Sequence, residues 1–241
     1  MRCPPRAGSR PCGTEYHGRV PPRKEFAAVL VDLDGTLVDT AGEIGLALSR
    51  TLAEYGIAPL AQPEVVALIG RGVRSLVERA LARRGAYEPG IEGVLERFHA
   101  HYAQTVATEA RLYPGARKGL EILRGAGCEL AVVTNKPRSY TERLLAYLEV
   151  DAMFGAIVAG DDGITRKPAA DMLLAACTKL GVSVSETLML GDSGNDVLAA
   201  RAAGCAAWCV PYGYNEGRGV EELGCDRIVA TIEDAARIVV G

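Results

Sequence analysis

The sequence predicts an α/β protein built on a Rossmann-like parallel sheet with helices on both faces, plus a small inserted helical cap. Three observations lead to this fold class. Short apolar runs recur along the chain, and such runs are typical of strands buried on both faces of a parallel sheet. Helical patterns alternate with these runs in the second half, as in βαβ units with right-handed crossovers. After the first run, about 75 residues show helical patterns without a convincing strand, which is too long for a structureless connection.

The apolar runs predict six strands. The first is at residues 26–32, where an apolar run ends in a polar turn. The other five are expected at residues 129–134, 156–159, 187–192, 206–210 and 227–229. Helices between the later strands are expected at residues 115–126, 138–148, 170–180, 194–203 and 233–240. Helices after the first strand are expected at residues 40–56, 62–69, 72–85 and 91–109.

These elements divide the chain into three predicted parts. Residues 1–25 combine six basic and two acidic residues with five prolines and no apolar run, which predicts a disordered leader. Residues 26–39 and 113–241 form the predicted Rossmann-like core. Residues 40–112 form the predicted helical cap, inserted directly after the first strand.

Charge, hydropathy and cysteine content together limit the classes of protein to which this chain can belong. The chain has 27 basic and 30 acidic residues, a net charge of -3. A dedicated nucleic-acid-binding protein would carry a basic patch or stripe, so we expect no nucleic acid as partner. We expect no membrane partner either, because no stretch approaches the roughly 20 apolar residues of a membrane span. The seven cysteines form no C-x-x-C pair and fit reduced thiols, which predicts a cytoplasmic protein.

The clearest candidate chemistry follows the first predicted strand. Asp32 and Asp34 lie two residues apart where the strand ends, and Gly35 permits backbone conformations that a side chain would hinder. Two neighbouring carboxylates repel each other unless a cation or a proton intervenes. A hard divalent cation relieves this repulsion, and Mg²⁺ is the usual one beside phosphate groups. One carboxylate can then act as a nucleophile while the other donates or accepts a proton. A hydrogen-bonded turn is the structural alternative.

Polar residues also follow the second and fourth predicted strands. Thr134 and Asn135 carry neutral donors for a phosphoryl oxygen, and the same residue types also cap helices. Asp192 follows the fourth strand, where it could ligate a metal held by Asp32. Because the carboxyl ends of parallel strands line a single crevice, we expect these residues to converge on one site.

Two further charged residues fit the same site. Lys167 precedes a predicted helix, and its ammonium can neutralise both an attacking carboxylate and a phosphoryl oxygen. Asp196 begins a helix four residues after Asp192, where it could hold a water near the metal or orient Lys167. An exposed surface lysine and a helix-capping acid are the structural alternatives.

These four segments resemble, in order and spacing, the four motifs of the haloacid dehalogenase-like phosphohydrolase superfamily. They are residues 31–36, 134–135, 167–168 and 191–196. The resemblance covers about residues 26–241 and implies a Rossmann-like sheet with a helical cap after the first motif. It also implies phosphate chemistry, because the true dehalogenases lack the second acid, which is Asp34 in this chain.

The resemblance implies a role for each candidate residue in catalysis. Asp32 would be the nucleophile that forms an aspartyl-phosphate. Asp34 would protonate the leaving alcohol and then activate the hydrolytic water. Thr134 and Lys167 would bind the transferring phosphoryl group, and Asn135 would border the site.

The resemblance also implies a magnesium site. Asp32, the backbone carbonyl of Asp34 and Asp192 would ligate Mg²⁺, and Asp196 would lie behind these ligands.

A narrower resemblance points to a substrate. Residues 69–81 and 211–215 are similar to segments of the bacterial phosphoglycolate phosphatases. We therefore expect a small phosphorylated metabolite as partner, with 2-phosphoglycolate hydrolysed to glycolate and phosphate by a monomer or homodimer. Arg71 or Arg74 would bind the substrate carboxylate, because the fork of a guanidinium matches carboxylate geometry. A sugar, amino-sugar or nucleotide phosphatase, and a binding module without turnover, remain as alternatives.

Overall fold

The computed structural model describes Met1, residues 25–86 and residues 90–241. The predicted leader, residues 1–25, lies outside the described residues apart from its two ends. Within the described residues the chain forms strands that are covered by helices, and each of the six predicted strands is present at its predicted place.

A six-stranded parallel sheet forms the centre of the fold. The strands of the described residues are β1 (Ala28–Val31), β2 (Val38–Asp39), β3 (Arg111–Leu112), β4 (Glu129–Val133), β5 (Ala156–Val158), β6 (Thr187–Gly191), β7 (Ala206–Cys209) and β8 (Arg227–Ile228). The sheet order is β5-β4-β1-β6-β7-β8, and every neighbouring pair in it is parallel. Strand β1 therefore lies in the middle of the sheet, between β4 and β6.

Helices connect these strands. They are α1 (Ala41–Glu54), α2 (Gln62–Val66), α3 (Val73–Arg83), α4 (Ile91–Thr105), α5 (Ala116–Gly125), α6 (Arg138–Tyr147), α7 (Asp171–Leu180), α8 (Gly194–Ala203) and α9 (Ile232–Val240). Within the described residues, none of them is both long and apolar enough to cross a bilayer.

Different helices cover the two faces of the sheet. All four residues of β1 are buried, and their side chains alternate between two apolar clusters. Leu30 joins the cluster that includes residues of α7 and α8, whereas Val29 and Val31 join the cluster that includes residues of α5 and α9. Burial on both faces explains why the sequence of β1 is a continuous apolar run. The predicted fold class is confirmed.

Helices α1–α4 follow β1 in the chain and are called the helical insert from here on. The insert begins after β2 and ends before β3, and these two short strands pair antiparallel, with Val38 opposite Leu112. The sequence analysis missed this ribbon because two residues are too few to show an alternating pattern.

A buried carboxylate holds the end of the insert in place. Glu43 in α1 is buried, and one of its oxygens accepts hydrogen bonds from the backbone N–H groups of Thr108, Glu109 and Ala110, at 2.7, 2.8 and 2.9 Å. Its other oxygen accepts from the N–H of Ala107 at 3.2 Å. Hydrogen bonds to a charged acceptor are among the stronger ones in proteins. Glu43 therefore anchors the chain to α1 where it returns from the insert to the sheet.

Candidate active site

The ends of three neighbouring strands carry the predicted polar residues. Asp32 follows β1, Thr134 follows β4 and Asp192 follows β6, and all three residues are buried. Because β1 lies between β4 and β6, their carboxyl ends meet at one edge of the sheet. In open α/β sheets this edge is where ligands bind.

Asp32, Asp192 and Asp196 form a buried acidic cluster. One oxygen from each carboxylate lies within 4.8 Å of the others. The Lys167 ammonium pairs with two of them, at 2.8 Å from Asp32 Oδ1 and 2.7 Å from Asp196 Oδ1. When all four side chains are ionised, three carboxylates and one ammonium leave this buried cluster with an excess of negative charge.

Burial, together with the excess negative charge, shifts the pKa values of the cluster. Burial raises the pKa of Asp32 to about 8, although the Lys167 ammonium opposes this shift. Burial and the neighbouring Asp196 carboxylate raise the pKa of Asp192 to about 7. Burial alone would lower the pKa of Lys167, but Asp196 and Asp32 outweigh it, so that pKa is raised. The cluster therefore holds a proton near neutral pH unless a cation takes its place.

The donors in the cluster fit a hard divalent cation. All three are carboxylates, and carboxylate oxygens are the ligands that Mg²⁺ prefers. Asp196 is already occupied, because its Oδ1 accepts from Lys167 and its Oδ2 accepts from the Ser193 hydroxyl at 2.8 Å. Asp32 and Asp192 are therefore better placed to contact a cation directly, with Asp196 holding the lysine beside them.

Two groups fix the Asp192 carboxylate. The Thr36 hydroxyl donates to Asp192 Oδ1 at 2.8 Å, and the backbone N–H of Tyr214 donates to Oδ2 at 2.7 Å. Gly35 makes room for this arrangement: its φ is +86°, and a Cβ atom there would lie 2.5 Å from Asp192 Oδ2. The motif at residues 32–36 thus needs a glycine both for its turn and for its close approach to Asp192.

The segment at residues 211–215 connects Asp192 to the base of the insert. Besides binding Asp192 through its backbone, Tyr214 donates its hydroxyl proton to Asp39 Oδ1 at 2.9 Å. The same hydroxyl oxygen accepts from the backbone N–H groups of Thr40 and Ala41, at 2.8 and 2.9 Å. Sequence reasoning found this segment by resemblance alone and gave it no physical role.

Asp34 is paired with a buried cation of its own. Asp34 Oδ1 accepts from the Thr40 hydroxyl at 2.6 Å and from the Lys136 ammonium at 2.7 Å. The sequence analysis missed Lys136, although it directly follows the candidate residues Thr134 and Asn135. The position of Lys136 next to Thr134 and Asn135 is the feature of the sequence that could have identified it as a candidate site residue.

Asn135 connects three parts of the chain. Its Nδ2 donates to the carbonyl oxygens of Gly70 and Lys167, each at 2.9 Å. The first bond reaches the helical insert, and the second fixes the segment that carries the buried lysine. Asn135 is among the residues that line the cavity described below, and its role at the border of the site remains a prediction.

Arg71 and Arg74 make ion pairs in this structure. The Arg71 guanidinium binds Glu216 through two hydrogen bonds of 2.6 Å, and Arg74 binds Glu92 at 2.8 Å. Both arginine side chains are about half exposed. Binding of a substrate carboxylate by either one remains a prediction, and it would require the corresponding ion pair to open.

A cavity lies between the acidic residues and the helical insert. The strand ends contribute Asp32, Asp34, Thr134, Asn135, Lys136 and Pro137 to its lining. The insert contributes Ile44, Ile69, Gly70, Gly72, Val73, Leu76, Phe98 and Tyr102. One wall is thus polar and charged, and the other is largely apolar.

Residues 26–204 match the family model of the haloacid dehalogenase-like hydrolases. The chain belongs to this family. The match spans all four motif segments, so the predicted family and the hydrolase class are confirmed. Within a haloacid dehalogenase-like hydrolase, the strand-end residues described above are the candidate catalytic groups.

Curated relatives cover most of the chain. A phosphoglycolate phosphatase from Nitrosospira multiformis is 41% identical over 215 residues, which are 88% of this chain and 95% of that protein. The plasmid-encoded phosphoglycolate phosphatase of Cupriavidus necator is also 41% identical, over 86% of this chain and 90% of that protein.

Solved structures show the same fold. The crystal structure of a predicted phosphoglycolate phosphatase from Haemophilus somnus 129PT is 29% identical, with a TM-score of 0.85, and covers 90% of this chain and 99% of that one. CbbY from Rhodobacter sphaeroides, solved in complex with phosphate, is 25% identical with a TM-score of 0.74, over 87% of this chain and 96% of that one.

Proposed function

We propose that this chain is a Mg²⁺-dependent phosphomonoesterase that hydrolyses 2-phosphoglycolate to glycolate and phosphate. One observation carries the proposal: the buried Asp32 carboxylate lies at the cavity beside Asp192, with its charge balanced by Lys167. The names of the curated relatives support the choice of substrate.

In the first step Asp32 attacks the phosphorus atom, and the bond from phosphorus to the ester oxygen breaks. Asp34 donates its proton to that oxygen, so that glycolate leaves as the alcohol. The product of this step is a phosphoryl group bound to Asp32. In the second step Asp34 takes a proton from water, the water oxygen attacks the same phosphorus, and phosphate leaves with Asp32 restored.

Other residues hold the phosphoryl group during both steps. Lys167 and the Thr134 hydroxyl donate to its oxygens, and Asp196 keeps the Lys167 ammonium in place through the 2.7 Å ion pair. Asp32, the Asp34 carbonyl and Asp192 are the proposed Mg²⁺ ligands. Bound Mg²⁺ would neutralise charge on the phosphoryl oxygens.

The helical insert is proposed to act as a cap, with residues 40–112 as cap and residues 26–39 and 113–241 as catalytic core. Its apolar side chains line the cavity opposite Asp32 and Asp34, where they would exclude bulk water from the phosphorylation step. The insert and the strand ends line the same cavity, and this arrangement agrees with the small size of the expected substrate.

The proposed setting is the cytoplasm, with a small phosphorylated metabolite as partner. Buried thiols at Cys177, Cys205 and Cys209 support a reducing compartment.

A screen of phosphate esters tests the proposal. The purified chain would be assayed against 2-phosphoglycolate, sugar phosphates, amino-sugar phosphates and nucleotides, with Mg²⁺ and with EDTA. We expect the highest kcat/KM for 2-phosphoglycolate and loss of activity in EDTA. A higher kcat/KM for a different ester would refute the substrate, and turnover that is unchanged by EDTA would refute the metal.

A further inference from the structure

The cap-side wall of the cavity contains a buried polar group that none of the proposed catalytic steps uses. The residues that α1, α3 and α4 contribute to this wall are apolar apart from Tyr102. Tyr102 lies in α4 and is 1% exposed. Within the described residues its hydroxyl has no hydrogen-bond partner in good geometry, and it interacts with the Lys136 ammonium. A buried hydroxyl without a partner costs free energy, so its presence in an apolar wall needs an explanation.

Aromatic packing fixes the position of this hydroxyl. The Tyr102 ring stacks on Phe98 with 5.6 Å between ring centres, and it makes a T-shaped contact with Tyr140 with 4.7 Å between ring centres. These contacts hold the ring on two sides. The hydroxyl is therefore a preorganised group at the cavity, and a bound molecule would not have to order it.

Lys136 presents a positive charge at the same place. It is 6% exposed, and its ammonium lies 4.9 Å from the centre of the Tyr102 ring. Among the described residues this ammonium donates to Asp34 at 2.7 Å and interacts with the Tyr102 hydroxyl. An ammonium has three donors, so Lys136 retains donors for a further partner.

We propose that Tyr102 and Lys136 form a subsite for the carboxylate of the substrate. The inference rests on the proposed function, in which Asp34 protonates the ester oxygen. In 2-phosphoglycolate a single CH₂ group separates that oxygen from the carboxylate. A cation bound to Asp34 therefore lies next to the position that the carboxylate must take.

The chemistry of the two groups fits a carboxylate better than a neutral group. A carboxylate has several lone pairs and can accept from the Tyr102 hydroxyl and the Lys136 ammonium together. Hydrogen bonds that involve ionised partners are roughly twice as strong as neutral ones. The surrounding apolar wall, with Val73 and Leu76, strengthens this attraction by excluding water.

The subsite can be tested with two esters and a matched pair of variants. Ethyl phosphate replaces the carboxylate of 2-phosphoglycolate by a methyl group. Tyr102→Phe removes the buried hydroxyl alone. Tyr140→Phe is the control, because it removes a hydroxyl from the adjacent ring that pairs with His99 at 2.9 Å.

For Tyr102→Phe we expect kcat/KM for 2-phosphoglycolate to fall about 10- to 100-fold, mainly through KM, since a hydrogen bond to a charged group is lost. Activity on ethyl phosphate should stay within about twofold. Tyr140→Phe should leave the ratio between the two esters unchanged. An equal loss on both esters in Tyr102→Phe, or no loss on either, would overturn the subsite.

Binding to the inactive Asp32→Asn variant separates this inference from the proposed function. Calorimetry on that variant, with and without Tyr102→Phe, measures affinity for both esters without turnover. A preference for 2-phosphoglycolate that Tyr102→Phe reduces about 10-fold or more supports the subsite. This holds even if wild type turns over neither ester, a result that would refute only the proposed function. Equal affinity for the two esters, or a preference that Tyr102→Phe leaves unchanged, would overturn the subsite.

Discussion

The two walls of the cavity are built in different ways. The core wall consists of short turns at strand ends, and its charged side chains are buried in pairs: Asp32 with Lys167 and Asp34 with Lys136. The cap wall consists of helix faces and loops, and Tyr102 supplies a lone buried hydroxyl among apolar side chains. We therefore expect the core wall to carry the groups for bond making and breaking, and the cap wall to carry the shape and polarity that select the substrate.

This difference shows where each kind of information lies in the sequence. A strand end fixes its side chains within a few residues, so reactive groups form short motifs. A helix face draws its residues from every third or fourth position, so a substrate-binding surface is spread over several helices. Variants of the two walls should accordingly affect different kinetic constants.

The largest effect is expected at the core wall, for Lys167→Met. Loss of the ammonium leaves Asp32 and Asp196 buried without a counter-charge. We expect kcat to fall about 10³-fold and the free energy of unfolding to fall by about 3–5 kcal/mol. Steady-state kinetics and urea unfolding measure the two effects. Lys118→Met, at a lysine whose side chain is 60% exposed, is the control and should change neither.

Asp34→Asn should give the next largest effect, and its size should depend on the leaving group. We expect kcat/KM for 2-phosphoglycolate, which reports the first step alone, to fall about 10²-fold or more, because the alcohol leaves without a proton. The loss should be much smaller for p-nitrophenyl phosphate, whose leaving group is stable as an anion. Equal losses on both esters would show that Asp34 does not act as the proton donor.

After metal removal, the free energy of unfolding should depend on pH because of two buried carboxylates of the core wall, Asp32 and Asp192. Without metal, folding raises the pKa of Asp32 from 3.8 to about 8 and that of Asp192 from 3.8 to about 7. Between about pH 4 and pH 8 the folded chain then binds more protons than the unfolded chain, so stability falls as pH rises.

Thermal unfolding in EDTA at several pH values measures this dependence. We expect the melting temperature to fall by several degrees across that window, and Mg²⁺ to raise it most at the alkaline end. Asp192→Asn should flatten the curve. A melting temperature in EDTA that rises from pH 5 to pH 8 would contradict these pKa shifts.

The smallest effect is expected where the two walls are joined, at the ion pair between Arg71 and Glu216. This pair is partly exposed, so its contribution is modest. For Glu216→Gln we expect KM to rise about fivefold for both 2-phosphoglycolate and ethyl phosphate, with kcat nearly unchanged. Glu221→Gln, at an exposed acid, is the control. A rise confined to 2-phosphoglycolate in Arg71→Leu would instead support binding of the carboxylate by Arg71.

The sequence was sufficient to predict the sheet, its six strands and the acidic residues of the core wall, but not Lys136. Asp32, Thr134 and Asp192 could be placed together because parallel topology brings strand ends to one edge. Their partners were harder to predict. The pairing of Lys167 with Asp196 was expected as one option among several, whereas that of Lys136 with Asp34 depends on how two loops approach each other.

The roles of residues in the helical insert could not be predicted from the sequence. Tyr102 falls within an ordinary amphipathic pattern, and only the packed structure shows that it lines the cavity with its hydroxyl buried beside Lys136. Glu43 likewise looks like a helix acid in the first turn of α1, yet it binds four backbone N–H groups that lie more than 60 residues away. Such roles depend on tertiary contacts, which local periodicity does not encode.

The most direct test of the account is to detect the phosphoryl group on Asp32. The enzyme would be mixed with 2-phosphoglycolate and Mg²⁺, quenched rapidly in acid, and digested for peptide mass spectrometry, with Asp32→Asn and the exposed-site control Asp151→Asn in parallel. We predict one added phosphoryl group on the peptide that contains Asp32 in wild type and in Asp151→Asn, and neither the adduct nor turnover in Asp32→Asn. Turnover by Asp32→Asn within tenfold of wild type, or a phosphoryl group on a different residue, would contradict it.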